Sequence, residues 1–235
     1  MLVSAVDAVL LDVGGIFHLP AHEPIVGALS RAGYAVDPGV LDRAHYAGAA
    51  SFTTDYEGEL PWSEMWGQYL DAYARACGVP DDAFDEALEH LHAEFATGAL
   101  WSRVIPGSVE GLRALARTGV HVGVVSNSDG LVAERLREQE VLQVGPGLGV
   151  PVATVIDSGE VGVEKPDPRI FRLALDALGI GPERAWYVGD MPGIDVVGAR
   201  AAGLHPIVMD PFGLHFVADY DRVASLAELA ARVAA

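Results

Sequence analysis

The chain has 235 residues, 51% hydrophobic and 20% charged, a composition that excludes a disordered polypeptide and allows a sizeable core. Its formal charge of −18 argues against nucleic acid or an anionic membrane as the main partner, so a bound anion needs positive charge supplied locally. A single cysteine, Cys77, leaves no internal disulfide or multi-cysteine metal site, and no uncharged run approaches the ~20 residues of a membrane span, so a cytoplasmic protein is expected.

In chain order, Val6 and Ala8 to Leu11 form an apolar run interrupted only by Asp7, which suits a strand buried on both faces of a parallel sheet. It stops at Asp12, followed by Gly14 and Gly15, and a loop with His18, Pro20 and His22 comes next. From Glu23 to Ala99 the spacing is helical. Ile25, Leu29 and Ala32 share one face, Leu41 to Ala50 reads as a second helix, and Trp62, Met65, Trp66, Tyr69, Leu70 and Tyr73 form a long stripe. Phe84, Leu88, Leu91 and Phe95 make another stripe, and the stretch between helices places Asp55, Tyr56 and Trp62 to face a ligand. From Pro106 the rhythm alternates. Helices are expected at Ser108–Arg117, Leu131–Gln139, Pro168–Leu178, Ile194–Ala202 and Leu226–Val233. Strands are expected at Val120–Val125, Ala153–Ile156, Ala185–Val188 and Pro206–Met209. Alternation of this kind predicts an α/β fold, a doubly wound parallel sheet with right-handed crossovers, and makes the helical stretch an insertion after the first strand.

Three strand ends carry polar residues directly after apolar runs: Asp12, then Ser126-Asn127-Ser128, then Gly189-Asp190 with Asp195 five residues on. Lys165, the only lysine against fourteen arginines, opens the helix that starts at Pro166-Asp167-Pro168. In a parallel sheet these carboxyl ends share one edge, where such folds bind ligands. Asp12, Asp190 and Asp195 would repel one another unless a cation sat among them, and a few carboxylates plus water and substrate phosphate are the habit of Mg²⁺. Ser126 and Lys165 offer hydrogen bonds and positive charge to a phosphoryl group.

The ordered set resembles the haloacid dehalogenase superfamily, most of whose members are Mg²⁺-dependent phosphatases, and the resemblance covers essentially the whole chain. It implies a Rossmann-like core over residues 1–17 and 100–235 and a helical cap over 18–99. It makes Asp12 in LLDVGGIF the nucleophile, with Ser126 in VVSNS and Lys165 in EKPDPRIF assisting and Ser126, Asn127 and Lys165 binding phosphate. The metal falls to Asp12, the Gly14 carbonyl, Asp190 and Asp195 in VGDMPGID. A small phosphorylated metabolite, hydrolysed through an aspartyl-phosphate by a monomer or homodimer, is the implied chemistry.

One position departs from the family pattern. Two residues after the nucleophile the phosphatases carry a second Asp as general acid/base, and here that residue is Gly14. General acid/base assistance is typically worth about 10²–10⁴-fold, so hydrolysis of alkyl phosphates is expected to suffer most and that of aryl or acyl phosphates least. His18 or His22 on the following loop is the nearest candidate substitute. Dehalogenases of the superfamily also lack the second Asp, which makes a 2-haloacid dehalogenase one alternative, although they usually lack the acidic pair kept here as Asp190 and Asp195. A non-catalytic homologue that binds a phosphometabolite or a protein is the other. Phosphonate hydrolases use a cap lysine, and residues 18–99 contain none.

Overall fold

In the computed structural model the chain is described over residues 6–54, 62–97, 100–216 and 219–235, the side chains of 62–64 excepted. Asp55, Tyr56 and the side chain of Trp62 lie outside that set. The elements are β1 (Ala8–Leu11), β2 (His18–Pro20), α1 (His22–Arg31), α2 (Leu41–Ala50), α3 (Trp62–Ala76), α4 (Phe84–Phe95), β3 (Trp101–Val104) and α5 (Ser108–Ala116). They continue with β4 (His121–Ser126), α6 (Val132–Glu138), β5 (Leu142–Val144), β6 (Val150–Val152), β7 (Thr154–Asp157), α7 (Ser158–Val161) and α8 (Pro168–Leu178). β8 (Ala185–Gly189), α9 (Pro192–Ala202), β9 (His205–Met209), β10 (Asp221–Val223) and α10 (Leu226–Val233) complete the chain.

Six strands form one parallel sheet in the order β10-β9-β8-β1-β4-β7. β1 is central, and its four residues split between two cores. Val9 and Leu11 pack on one face with Leu112, Leu115 and Leu229, while Ala8 and Leu10 pack on the other with Phe171, Ala174 and Ala199. Both faces are therefore covered, which is why the strand reads as an unbroken apolar run rather than an alternation. Leu11 pairs with Val124 on one side and Val188 on the other. That register brings the residues after β1, β4 and β8 to one edge. Sequence order places the switch in direction beside β1, the usual position of a ligand site in open α/β sheets.

Helices α1 to α4 carry a separate core around Ile25, Leu29, Leu41, Tyr69, Tyr73 and Leu91. Its aromatic rings meet edge-on or tilted, as Trp66–Tyr69 at 5.1 Å and Tyr69–Phe95 at 5.4 Å show, the arrangement ring quadrupoles favour. Tyr69, Leu70 and Tyr73 of the stripe read at helical spacing are thus packing, with Met65 and Trp66 against them.

The structure differs from the sequence reading beside this lobe. The stretch containing His18 and Pro20 is a strand rather than a loop: β2 pairs antiparallel with β3, matching His18 to Val104 and Pro20 to Trp101. Strands of three and four residues are too short to show a period, and their partners lie more than 80 positions apart in the chain. β5, β6, β10 and α7 were equally invisible, each three or four residues long. No helix among the described residues is long and apolar enough to cross a membrane.

Candidate active site

β1 delivers Asp12 to the sheet edge and anchors it through its own N–H, which donates to the Val188 carbonyl at 2.9 Å. Lys165 arrives from the loop before α8. Asn127, just past β4, holds that loop by two bonds: its Oδ1 accepts from the Lys165 N–H at 2.7 Å and its Nδ2 donates to the Lys165 carbonyl at 3.0 Å. The Asn127 side chain thereby places Lys165, and Asn127 also lines the cavity. The Lys165 ammonium lies 2.8 Å from Asp12 Oδ2, 2.8 Å from Asp195 Oδ1 and 2.8 Å from the Tyr187 hydroxyl. Three partners satisfy its three donors.

Asp195, in the first turn of α9, spends both oxygens inward. Oδ2 accepts the N–H groups of Asp190 (3.1 Å) and Met191 (2.9 Å), and Oδ1 faces Lys165 and the Tyr187 hydroxyl. It thereby folds the loop that carries Asp190. One carboxylate oxygen each from Asp12, Asp190 and Asp195 lies within 4.8 Å of the others, a cluster able to hold a metal ion. Oδ2 of Asp190 is buried, and the polar atom facing it is Nε2 of His45 at 2.8 Å. Three buried carboxylates brought this close repel one another unless a cation meets them, and their oxygen donors fit a divalent ion.

Electrostatics point the same way. Burial pushes the Asp12 carboxyl up to about 7, with Asp195 and Asp190 adding to the rise and Lys165 opposing it. Burial also works against the charge on Lys165, but Asp12 and Asp195 outweigh it and hold the ammonium above the usual lysine range. The Tyr187 phenol is kept well above its ordinary value by burial and the same carboxylates, so it stays a neutral donor. One cation for three buried carboxylates leaves a deficit of positive charge.

A cavity of about 470 Å³ opens above this cluster, lined by Asp12, Gly14, Ser126, Lys165 and Asp190 at its floor. Ser126, buried at the end of β4, is brought there as its sequence position implied. His18 also reaches the cavity wall, with Nε2 2.5 Å from Gln139 Oε1. His22 is directed instead to Asp42 at 2.8 Å, an acid shared with Arg103, and lies outside the lining.

Three residues of the site carried no sequence signal that was read as such. Tyr187 hides within the apolar strand β8. Trp101 sits on β3, and a side-chain carbon added at Gly14 would meet its ring at 3.5 Å. His45, on α2, is 1% exposed and reaches Asp190, its Nε2 2.8 Å from Oδ2 though misaligned for a hydrogen bond. Its other nitrogen lies 2.9 Å from the Tyr69 hydroxyl. The next residue, Tyr46, donates its hydroxyl to the Gly15 carbonyl at 2.7 Å. An imidazole in the alanine-rich helix LDRAHYAGAA was the available clue to this docking.

Comparison with known proteins agrees with the geometry. Residues 7–203 match the family model of haloacid dehalogenase-like hydrolases. The chain is 35% identical over 174 residues to phosphoserine phosphatase of Thermus thermophilus, covering 64% of this chain and 68% of that protein. It is 37% identical over 164 residues to phosphoglycolate phosphatase of Rhodospirillum rubrum, covering 67% of this chain and 62% of the relative's length. Among solved structures, a haloacid dehalogenase-type phosphatase from Thermococcus onnurineus shares the fold at 24% identity and a TM-score of 0.54, with 97% of each chain covered. The chain belongs to the haloacid dehalogenase-like hydrolases and is a hydrolytic enzyme.

Proposed function

We propose that the chain is a Mg²⁺-dependent phosphatase acting on a small phosphorylated metabolite through an aspartyl-phosphate on Asp12. The observation that carries this reading is the Lys165 ammonium held at 2.8 Å from both Asp12 and Asp195, with one oxygen of Asp190 within 4.8 Å of theirs. That is an anion-stabilising cation next to a cation-seeking carboxylate, the pairing that phosphoryl transfer needs.

In this reading Asp12, the Gly14 carbonyl and Asp190 hold the ion, and Asp195 orients them from behind. Bound there, Mg²⁺ supplies neutralisation of the phosphoryl oxygens. The Asp12 carboxylate attacks phosphorus in line, the bond to the leaving oxygen breaks, and Lys165 and Ser126 hold the transferring group. Water then attacks the aspartyl-phosphate, releasing phosphate and restoring Asp12. Residues 18–99 act as the cap that excludes water and selects substrate, with residues 1–17 and 100–235 as the catalytic core. The preserved carboxylate cluster weighs against a haloacid dehalogenase or a non-catalytic binder, neither of which needs three acids together.

The test is phosphate release from p-nitrophenyl phosphate and acetyl phosphate, with and without Mg²⁺, in wild type and Asp12→Asn. Mg²⁺-dependent turnover that Asp12→Asn abolishes is expected. Folded protein without turnover overturns the reading, and halide release from 2-haloacids then separates the two remaining alternatives.

A further inference from the structure

We infer that the phosphatase site is built for aryl phosphates, monoesters of a phenolic hydroxyl, rather than for phosphates of aliphatic alcohols. The inference rests on the phosphatase reading above and specifies its leaving group.

Two features of the cavity point to an aromatic leaving group. The first is what stands where a proton donor is needed. Position 14 has no side chain, and the group nearest its missing Cβ is the benzenoid ring of Trp101, at 3.5 and 3.8 Å. An aliphatic alkoxide, whose conjugate acid resembles water in strength (pKa ~15.7), leaves poorly without a proton. A phenolate leaves without help, because phenols ionise near ~10.

The second feature is the wall. Beside Ser126 and Lys165 the cavity is lined by Trp66, Trp101, Met191, Ile194, Val13 and Val132, together with polar residues that include His18, Ser128, Arg135 and Glu164. Trp101 is fixed edge-on against His45 at 5.3 Å and Phe95 at 6.2 Å, and Trp66 against Tyr69 at 5.1 Å. Flat, oriented indoles and a thioether suit an aromatic ring. The arginine in the lining, Arg135, is already engaged by both oxygens of Asp129 at 2.8 and 2.7 Å, so the wall does not present it to a substrate carboxylate. The volume of about 470 Å³ is that of a small-ligand pocket.

The chemistry balances without a protein acid. Asp12 Oδ forms the bond to phosphorus as the phosphorus–aryloxide bond breaks. The aryloxide leaves with the electron pair and takes its proton from solvent. Water then attacks phosphorus, its proton passes to solvent, and the phosphorus–Asp12 bond breaks to regenerate the carboxylate.

The test is kcat/KM of the full chain with Mg²⁺ for phenyl phosphate, substituted phenyl phosphates, β-glycerophosphate and acetyl phosphate, in wild type, Gly14→Asp and Trp101→Ala. Wild type is expected to favour phenyl phosphate over β-glycerophosphate by at least ~10²-fold, with rates that fall steeply as the leaving phenol becomes less acidic. Gly14→Asp should narrow that gap by accelerating β-glycerophosphate most. Trp101→Ala should lower the ratio of phenyl to acetyl phosphate kcat/KM through a KM rise of about tenfold, the order of a lost ring contact. Equal rates on the two esters, or equal losses on phenyl and acetyl phosphate in Trp101→Ala, overturn the inference while leaving the phosphatase reading intact. Absence of turnover on acetyl phosphate removes both.

Discussion

Nε2 of His45, on a helix of the inserted lobe, lies 2.8 Å from Oδ2 of Asp190 at the sheet edge, and each side chain is 1% exposed. With Tyr46 on Gly15 and the Gly193 N–H on the Phe52 carbonyl at 2.9 Å, this contact seats the lobe on both loops of the carboxylate cluster. A residue behind a metal-binding carboxylate fixes which oxygen faces the ion, and its loss typically costs about 10–100-fold in metal affinity. His45→Ala should weaken Mg²⁺ binding by that order in calorimetric titration, and His45→Gln, which keeps a donor, should recover part of it. Unaltered affinity in His45→Ala would reduce the residue to a core filler.

Lys165 pairs with two carboxylates at once, so its removal strands buried charge. Breaking a buried pair by deleting one partner costs ~3–5 kcal/mol, and Lys165→Met should lose stability of that order in urea without added metal. Arginine is no substitute at a side chain 3% exposed and filled by three partners at 2.8 Å. Because Asp12 and Lys165 share one interaction, Asp12→Asn with Lys165→Met should cost less than the sum of the single changes. Strict additivity would show that the pair does not couple.

The core sheet was legible because its signals are local. β1 is apolar on both faces, β4 and β8 end in polar groups, and α8 opens with Asp167 accepting from the Arg169 N–H behind a proline. Asp12, Ser126, Lys165, Asp190 and Asp195 could be read because each sits at a fixed offset from such an element. His45, Trp101 and Tyr187 could not, since their roles arise only when distant segments dock. Trp101 is set over Gly14 by the pairing of β2 with β3, and His45 meets Asp190 across 145 positions of chain. Asn127 shows what local reading leaves out: it lies at the cavity beside Ser126, and its side chain also bonds the Lys165 backbone from 38 positions away.

Gly14 and Gly15, which follow Asp12, should respond oppositely to substitution. Gly15 has φ +67°, and a Cβ there would lie 2.4 Å from the Asp190 carboxyl carbon, so Gly15→Ala must both strain the backbone and displace an acid of the carboxylate cluster. The strain alone costs about 1–2 kcal/mol, and Mg²⁺ affinity should fall with it. Gly14→Ala meets Trp101 at an ordinary 3.5 Å and should fold with near-normal stability. Urea unfolding with calorimetric Mg²⁺ titration of both variants checks the contrast, and equal behaviour would discredit the packing around Asp190.

His18 should make the fold sensitive to mild acid. Burial lowers its pKa below the usual 6.5, the Gln139 contact opposes that, and Arg135 adds to it. The unfolded chain therefore binds a proton at His18 below pH 6.5 that the native protein resists, and stability falls as pH drops through that value. Asp12 acts in the other direction without metal. Raised from 3.8 to about 7, it binds its proton more tightly in the native state and costs stability as pH rises through that range. Comparing wild type with His18→Asn isolates the histidine, since Asp12 is common to both. In urea unfolding the stability of wild type relative to His18→Asn should decrease from pH 7.5 to pH 5.5. A difference that stays constant, or grows as the pH falls, would mean that His18 accepts its proton in place and is not held neutral by the fold.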